Sequence, residues 1–591
     1  MKKMVLFNVT PINTDNSDLA KFEENVKIAK ELGATHILVT EVLKSRWIWE
    51  EDLSDPYPNW GMLNSALFKI VLPDILKGYI PEDYVKKNLE IVKKRSQILK
   101  KYGLKAWAYF CDPFYLPEAF YRDYPEWRGA RCDHPRRARR AYFSPCVDNK
   151  DVLKAYSDAM KKLCEIADIE YVYLHSNDCG SGLCWSHGLY AGANGPEKCR
   201  HISMADRVLG FFNAFKEGAK EAGKDMYIEA NAKIGVKEID SEMENVYKFL
   251  SDKMAVNFKT NTGKPLSSLI DLNYEFTIAP VKKIMQPIAL LDQLEKAYES
   301  KTDIIRVVYL DDDLNTTYKL ISEYFKKPVT GASDKYKLLD KLAMEYAGKD
   351  HKLLLQAWID INDGLRFLAD TFMEGFTWTS INQRLINRPF VLFQNELTSE
   401  EKDYYQKYQF QATTLENSYD LLNNQGSGFV KGYYAVWMAS RLLDKAIEKW
   451  ESASSIFNKL SASNKQFELE KDRMRVLICF ANNYQNAINF QELVDETNFD
   501  ETPDLSLRWP NEGDNRLLKY ESLVRKEIDN MYELISLIKN RENEMLVLSP
   551  SNEDEDIFWL SPDIVNQLNR KIETMQNHFL DGKRLYTSRN Q

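Results

Sequence analysis

The residues that could carry out chemistry cluster in one stretch of the chain, between Ile169 and His187. The stretch begins with apolar and aromatic strand-forming residues and then changes abruptly to polar groups and glycines, among them His175, Asn177 and Asp178. A buried strand that ends in a polar loop is typical of the catalytic end of α/β barrels. We therefore predict that Asp178 is a catalytic acid.

Carboxylates also lie at or just after the ends of several other predicted strands, namely Glu41, Asp112, Glu229 and the run that starts at Asp311. The carboxyl ends of barrel strands face one pocket, so these side chains are expected to line it. Glycoside hydrolysis needs such a pocket, because one carboxyl donates a proton while a second group acts as nucleophile or base. We predict that Asp178 is the acid and Glu229 the second catalytic carboxylate.

Aromatic residues are abundant, with 32 Tyr, 28 Phe and 12 Trp, and several tryptophans fall in predicted loops. A flat apolar ring suits the C–H face of a sugar, although packing in a core explains such residues equally well. A segment between predicted helices, residues 377–389, either contacts substrate or joins two domains through polar contacts. The predicted substrate-binding residues are Asn177, His175, Glu41, Asp112, Trp60, Trp185, Asn231, Asp311 and Arg384.

A rival interpretation of the central stretch is metal binding. Cys179, Cys184 and His187 lie on one loop, and Cys199 follows shortly after. Structural zinc sites usually show tighter paired spacing, such as Cys-x2-Cys, so we predict neither a metal nor another cofactor. Buried free cysteines with one histidine that contacts substrate are the alternative.

The elements that must position these residues alternate between strands and helices in the first part of the chain. Predicted strands cover residues 3–8, 36–42, 105–111, 171–174, 225–232, 254–259, 275–279 and 303–310. This alternation predicts an α/β fold, a (β/α)₈ TIM barrel over residues 1–328. A doubly wound open sheet is disfavoured, because no Gly-x-Gly-x-x-Gly follows the first strand. From residue 329 to 591 helical periodicity dominates and predicts an all-α domain.

Composition excludes several classes of partner. The net charge is −9 with acids and bases mixed along the chain, which argues against nucleic acid and anionic membranes. No apolar run reaches the roughly 18 residues of a transmembrane span, and the N-terminal apolar run is too short for a signal peptide. We expect a cytoplasmic protein, or an exported one whose signal has been removed. Homodimer formation is left open.

Short motifs resemble those of bacterial barrel glycosidases. They are Asn177-Asp178, residues 189–196 and the Pro-Glu-Trp motif within 124–128, and they are similar to relatives of family 20 hexosaminidases, α-glucuronidases and glycosidase-like proteins of gut bacteria. Family 20 enzymes carry an Asp-Glu pair after the fourth strand, whereas this chain carries Asn177-Asp178. The resemblance implies that Asp178 takes the place of the acid and that Asn177 replaces the aspartate that assists the substrate's acetamido group.

The sequence thus predicts hydrolysis of a glycosidic bond in a carbohydrate substrate. Two alternatives remain at this stage. The Asn177 departure also fits a non-catalytic carbohydrate-binding protein on a degenerate barrel, and the Cys/His loop fits a metal-dependent hydrolase.

Overall fold

The computed structural model describes residues 4–10, 17–42, 65–133, 140–175, 182–186, 194–231, 240–271, 280–308, 315–371, 385–405, 408, 433–497, 515–549, 551–552, 555 and 560–586. The chain forms two compact units. The first comprises residues 1–272 and 292–328, and the second comprises residues 273–291 and 329–591. The stretch 273–291 therefore belongs to the second unit, although it lies within the range predicted for the barrel.

The first unit is built on a curled parallel sheet of eight strands in the order β8-β7-β6-β3-β2-β1-β10-β9. A separate antiparallel hairpin is formed by β4 and β5. In chain order the strands are β1 (Met4–Phe7), β2 (His36–Leu38), β3 (Lys105–Phe110), β4 (Arg128–Arg131), β5 (Phe143–Pro145), β6 (Ile169–His175), β7 (Tyr227–Asn231), β8 (Met254–Val256), β9 (Ser267–Asp271) and β10 (Ile304–Val308).

The predicted strands correspond to β1, β2, β3, β6, β7, β8 and β10, in which most residues are apolar or aromatic. The remaining member of the sheet, β9 (Ser267–Asp271), was not predicted, because only two neighbouring residues in it are strongly apolar. The strand predicted instead at 275–279 lies outside the described residues. The central stretch with the predicted acid follows β6, the fourth strand of the large sheet along the chain.

The helices complete the two units. They are α1 (Leu19–Glu31), α2 (Glu82–Tyr102), α3 (Glu118–Asp123), α4 (Lys150–Ile166), α5 (Met204–Glu221), α6 (Asp240–Phe249), α7 (Pro287–Glu299), α8 (Asn315–Lys326), α9 (Ala332–Ala347), α10 (His351–Thr371), α11 (Ser399–Tyr405), α12 (Tyr433–Ser463), α13 (Glu468–Thr497), α14 (Arg516–Ile538), α15 (Glu542–Met545) and α16 (Ile564–Asn577). Among the described helices, none combines the length and apolar character needed to cross a membrane.

The concave side of the large sheet encloses an apolar and aromatic core. Alternate residues of neighbouring strands point into it, as the two-residue period of a strand requires. Trp107 of β3 packs edge-on against Tyr171 of β6 with ring centroids 6.2 Å apart, and its Nε1 donates to the carbonyl of Phe7 over 2.9 Å. The core also includes Met4, Leu6, Leu38, Tyr173, Ala255, Leu266 and Ile304. Packing of this core holds the strands, and therefore the residues at their carboxyl ends, in fixed positions.

Helices α4 and α5, which flank β6 in sequence, pack closely because of one glycine. A Cβ atom at Gly218 of α5 would lie 2.2 Å from the backbone oxygen of Ser157 in α4. That distance is far shorter than any van der Waals contact, and the obstructing atom is backbone that cannot rotate away. Only glycine therefore permits this helix pair to approach as it does.

The substitution Gly218→Ala is expected to lower the free energy of unfolding by about 1–3 kcal/mol, because the helices must separate. Gly210→Ala on the same helix is the matched control, since the nearest atom to its Cβ would be Leu153 Cδ1 at 3.8 Å. There the higher helix propensity of alanine should stabilise the protein by about 0.5–1 kcal/mol. Thermal unfolding of both variants checks the pair, and equal shifts would contradict the packing argument.

The second unit is helical over most of its described residues and contains a buried ion pair. Lys571 of α16 contacts Glu527 of α14, and both side chains are completely buried. Asn483 and Asn486 of α13 donate to the two carboxylate oxygens of Glu527 over 2.6 and 2.9 Å. Lys571 also donates to the carbonyl of Ile386 over 3.0 Å. Burial lowers the pKa of Lys571, and the neighbouring carboxylate opposes that shift. These hydrogen bonds offset part of the desolvation free energy that burial of an ion pair costs.

Candidate active site

Two of the predicted substrate-binding residues lie side by side at the carboxyl end of the sheet. His175 ends β6 and Asn231 ends β7, and the two residues pair directly in the parallel register. Both are half-buried. Their neighbours are tyrosines: the ring of Tyr109 in β3 lies 6.2 Å from His175 and 6.0 Å from Tyr173, centroid to centroid. The segment that contains Asp178 begins directly after His175.

Asn231 also contacts Tyr173, which precedes His175 by two residues on β6. Its side chain hydrogen-bonds the hydroxyl of Tyr173, and burial raises the pKa of that tyrosine, so the hydroxyl stays protonated at neutral pH. A fixed amide and neutral hydroxyls can orient sugar hydroxyl groups by hydrogen bonding. These strand ends therefore have the polarity expected of a carbohydrate pocket.

The predicted second carboxylate, Glu229, lies deeper than the strand ends. It precedes Asn231 by two residues on the same face of β7 and is 0% exposed. Its Oε2 accepts hydrogen bonds from the hydroxyls of Tyr171 and Ser267, the latter over 2.6 Å. Burial, followed by the charge of Glu229, raises the pKa of Tyr171 well above its usual value, which keeps this hydroxyl a donor.

Arg306 of β10 completes this interior group. Its Nη2 lies 4.0 Å from Oε1 of Glu229, and its Nε donates to Ser267 Oγ over 3.1 Å. The guanidinium also stacks over the ring of Tyr173 at 3.8 Å from the centroid. The enclosure of Glu229 by β6, β9 and β10 side chains favours a supporting role over the predicted catalytic one. An arginine in the otherwise apolar run of β10 was the signal in the sequence that could have revealed this group.

Asp112 lies two residues beyond β3, and its carboxylate is bound by neighbouring protein groups. Its Oδ2 accepts from the backbone N–H of Leu67 over 2.7 Å, and its Oδ1 accepts from Tyr156 of α4 over 3.1 Å and from the N–H of Phe114 over 3.3 Å. Burial raises the pKa of Asp112 to about 6, although these hydrogen bonds oppose the shift. The contacts explain its burial without a substrate.

Glu41 is also buried, in a charged group that was not predicted from the sequence. Its backbone carbonyl accepts from Arg95 of α2, and its charge acts on both Arg95 and Lys69. Lys69 is fully buried over the ring of Phe114, and burial lowers its pKa to about 7. A lysine with such a pKa can exchange a proton near neutral pH.

Trp185 lies on a described part of the loop after β6, which is anchored to the β4–β5 hairpin. The side chain of Asn194 accepts from the N–H of Arg131 over 2.9 Å and donates to its carbonyl over 3.1 Å. Ser144 of β5 donates to the carbonyl of Gly182 in the same loop. Trp185 donates through Nε1 to Pro196 over 3.2 Å, and Arg200 stacks 5.3 Å from its ring. One face of this tryptophan is therefore already in contact with protein.

Several predicted site residues lie outside the described residues, namely Trp60, Asn177, Asp178, Asp311 and Arg384. The same holds for Cys179 and His187 of the alternative metal set. Of that set, Cys184 and Cys199 are described and come together, but their neighbours are Cys146 and Asp148. The donor atoms of these four residues lie within 4.8 Å of one another, so this group could hold a metal ion.

The curled parallel sheet, its flanking helices and its polar strand ends define an α/β barrel-like fold. No protein-family model matches the sequence, and no curated protein is significantly similar to it. Among solved structures, the fold is similar to that of a GH138 enzyme targeting pectin rhamnogalacturonan II, with a TM-score of 0.52 and 10% identity. That similarity covers 98% of this chain and 84% of the other. At this identity the likeness establishes a glycoside hydrolase-like fold.

Weaker likenesses also involve glycosidases. The GH36 α-galactosidase AgaA from Geobacillus stearothermophilus has a TM-score of 0.32 and 11% identity, covering 55% of this chain and 42% of the other. The galactosidase domain of an α-galactosidase–sucrose kinase, AgaSK, gives 0.31 and 14%, covering 57% and 41%. This chain spans less than half of those chains, and scores this low carry no argument.

Proposed function

We propose that the protein is a glycoside hydrolase that acts through carboxylates at the carboxyl ends of the sheet strands. The observation that carries this proposal is the fold shared with a GH138 enzyme over 98% of the chain. The paired polar residues His175 and Asn231 support it locally, since they lie where a barrel enzyme binds substrate.

In this proposal Asp178 is the general acid and Asn177 orients the sugar. We expect Trp60 and Asp311 to contribute substrate contacts, together with one face of Trp185, and a substrate contact by Arg384 stays a prediction. Catalysis by Glu229 stays a prediction, because this carboxylate is enclosed in the interior. If Glu229 only supports the strands, another strand-end acid must supply the second carboxylate, and Glu41→Gln and Asp311→Asn identify which one.

The finer architecture is part of the same proposal. We propose that the sheet closes into a (β/α)₈ barrel with β8 beside β9, followed by an all-α domain. The hydrogen bond between Ser267 of β9 and Glu229 of β7 supports closure, because it spans the gap left between the two ends of the sheet. The narrower relation to family 20 hexosaminidases and α-glucuronidases remains a prediction.

A hydrolysis assay on a panel of substrates tests the function. The panel combines aryl glycosides of the common neutral and acidic sugars with oligosaccharides of rhamnogalacturonan II, the material targeted by the GH138 neighbour. We expect release of a sugar from at least one member, detected by chromatography. Sugar binding without release, measured by calorimetry on the same panel, would instead support a non-catalytic carbohydrate-binding protein. The absence of both sugar binding and sugar release across the whole panel would contradict the proposal.

A further inference from the structure

Three separate segments of the first unit bring cysteine thiols to one point. Cys146 directly follows β5, Cys184 lies in the loop after β6, and Cys199 ends a short 3₁₀ helix, Glu197–Cys199. All three are buried. Asp148, just before the N-terminal cap of α4, adds a carboxylate, and the four donor atoms lie within 4.8 Å of one another.

The spacing of these atoms fits a tetrahedral zinc ion. Zn–S bonds of about 2.3 Å in a tetrahedron place the sulfur atoms about 3.8 Å apart. The Sγ atoms of Cys146 and Cys184 are 3.6 Å apart. A disulfide would need about 2.05 Å and would use only two of the three thiols. A shared cation accounts for all three thiols and the carboxylate together.

Arg207 of α5 holds two members of the group in place. Its Nε donates to Asp148 Oδ2 over 2.8 Å, and its Nη2 donates to the carbonyl of Cys199 over 2.9 Å. Metal ligands are commonly oriented by outer partners of this kind. The charges also fit a divalent cation. Three thiolates and one carboxylate carry four negative charges, and Arg207 offsets one of them. A divalent cation offsets two more, which leaves about one negative charge at this buried position.

We propose that Cys146, Cys184, Cys199 and Asp148 bind one structural Zn²⁺ ion. Thiolate ligands select zinc among the abundant divalent cations, and four protein ligands leave no open position for substrate. The ion would fasten the loop after β6 to the start of α4. This proposal rests on the cluster alone and does not depend on glycoside hydrolysis.

Metal analysis of the full chain tests the proposal. Protein produced in zinc-supplemented medium and purified under reducing conditions is expected to carry about one zinc per chain. Cys184→Ser and Cys199→Ser should each lower that content severalfold. Cys164→Ser is the matched control, because Cys164 is also a buried free cysteine but lies outside the cluster, on α4. It should leave the zinc content unchanged. Arg207→Met should weaken zinc binding about 10–100-fold.

A second measurement uses the wild-type chain, in case the serine variants do not fold. Titration with a mercurial thiol reagent in the presence of a chromogenic chelator should release the zinc as the cluster thiols react. Wild-type protein without zinc under these conditions would overturn the proposal, as would a Cys146–Cys184 disulfide in its place. Zinc that persists in Cys184→Ser, or that is not released by the mercurial, would overturn it as well.

Discussion

Replacement of Asp178 by asparagine is expected to lower kcat for glycoside hydrolysis by about 10²–10⁴-fold, the usual contribution of a general acid. Asparagine has nearly the same shape as aspartic acid but cannot give a proton to the leaving oxygen. The loss should be largest for substrates with poor leaving groups, such as natural linkages, and smallest for activated aryl glycosides, which need less protonation. Sugar binding should survive the change.

The matched control is Asp168→Asn, directly before β6. Asp168 is partly exposed and pairs with Lys224 over 2.6 Å, so its loss should alter neither kcat nor KM. The pH profile gives an independent readout, since the high-pH limb set by the acid should disappear in the Asp178 variant. An unchanged rate with poor leaving groups would remove Asp178 from the mechanism.

The second large effect concerns stability. Arg306→Met is expected to lower the free energy of unfolding by about 3–5 kcal/mol, because it leaves the Glu229 carboxylate buried without its cation. The double variant Arg306→Met, Glu229→Leu should recover much of this loss, since neither charge then remains in the interior. Calorimetry follows the unfolding transitions. Lys154→Met is the control: this lysine pairs with Asp158 on the surface, so its loss should change stability by only about 0.5 kcal/mol.

Glu229→Gln separates the two roles proposed for this residue. A supporting role predicts lower stability and unchanged kcat for the molecules that remain folded. The catalytic role predicted from the sequence would instead abolish turnover while the unfolding temperature stays close to that of the wild type. Additive losses in the Arg306 and Glu229 double variant would show that the two groups do not interact.

Much of the parallel sheet could be predicted because most residues of its strands are apolar or aromatic. β6 and β10 are clear examples, and Gly103 correctly predicts the end of α2, where it adopts a φ of 65°. β9 could not be found in this way, since its two serines make it resemble a loop. The β4–β5 hairpin was missed for a related reason: neither of its short strands contains an apolar run.

Among the described site residues, the sequence indicated which ones lie at or near strand ends but not how deeply each is buried. Sequence places Glu229 near the end of a strand, but its position two residues before the half-buried Asn231 encloses its side chain completely. The surroundings of Asp112 depend on Tyr156, on a helix that follows much later in the chain. Likewise, Cys146 and Asp148 join Cys184 only through tertiary packing, so spacing along the chain could not reveal the cluster.

The anchoring of Asn194 and Gly182 to the β4–β5 hairpin has a consequence for protein engineering. Loops at barrel mouths are often exchanged singly to alter specificity, on the assumption that each is an independent module. Here the loop after β6 is held by the backbone of Arg131 and the hydroxyl of Ser144, both of which belong to the β4–β5 hairpin. A graft into another scaffold would have to include both the β4–β5 hairpin and the loop after β6. Recombination with a homologue between β5 and β6 would separate the two segments and remove these hydrogen bonds.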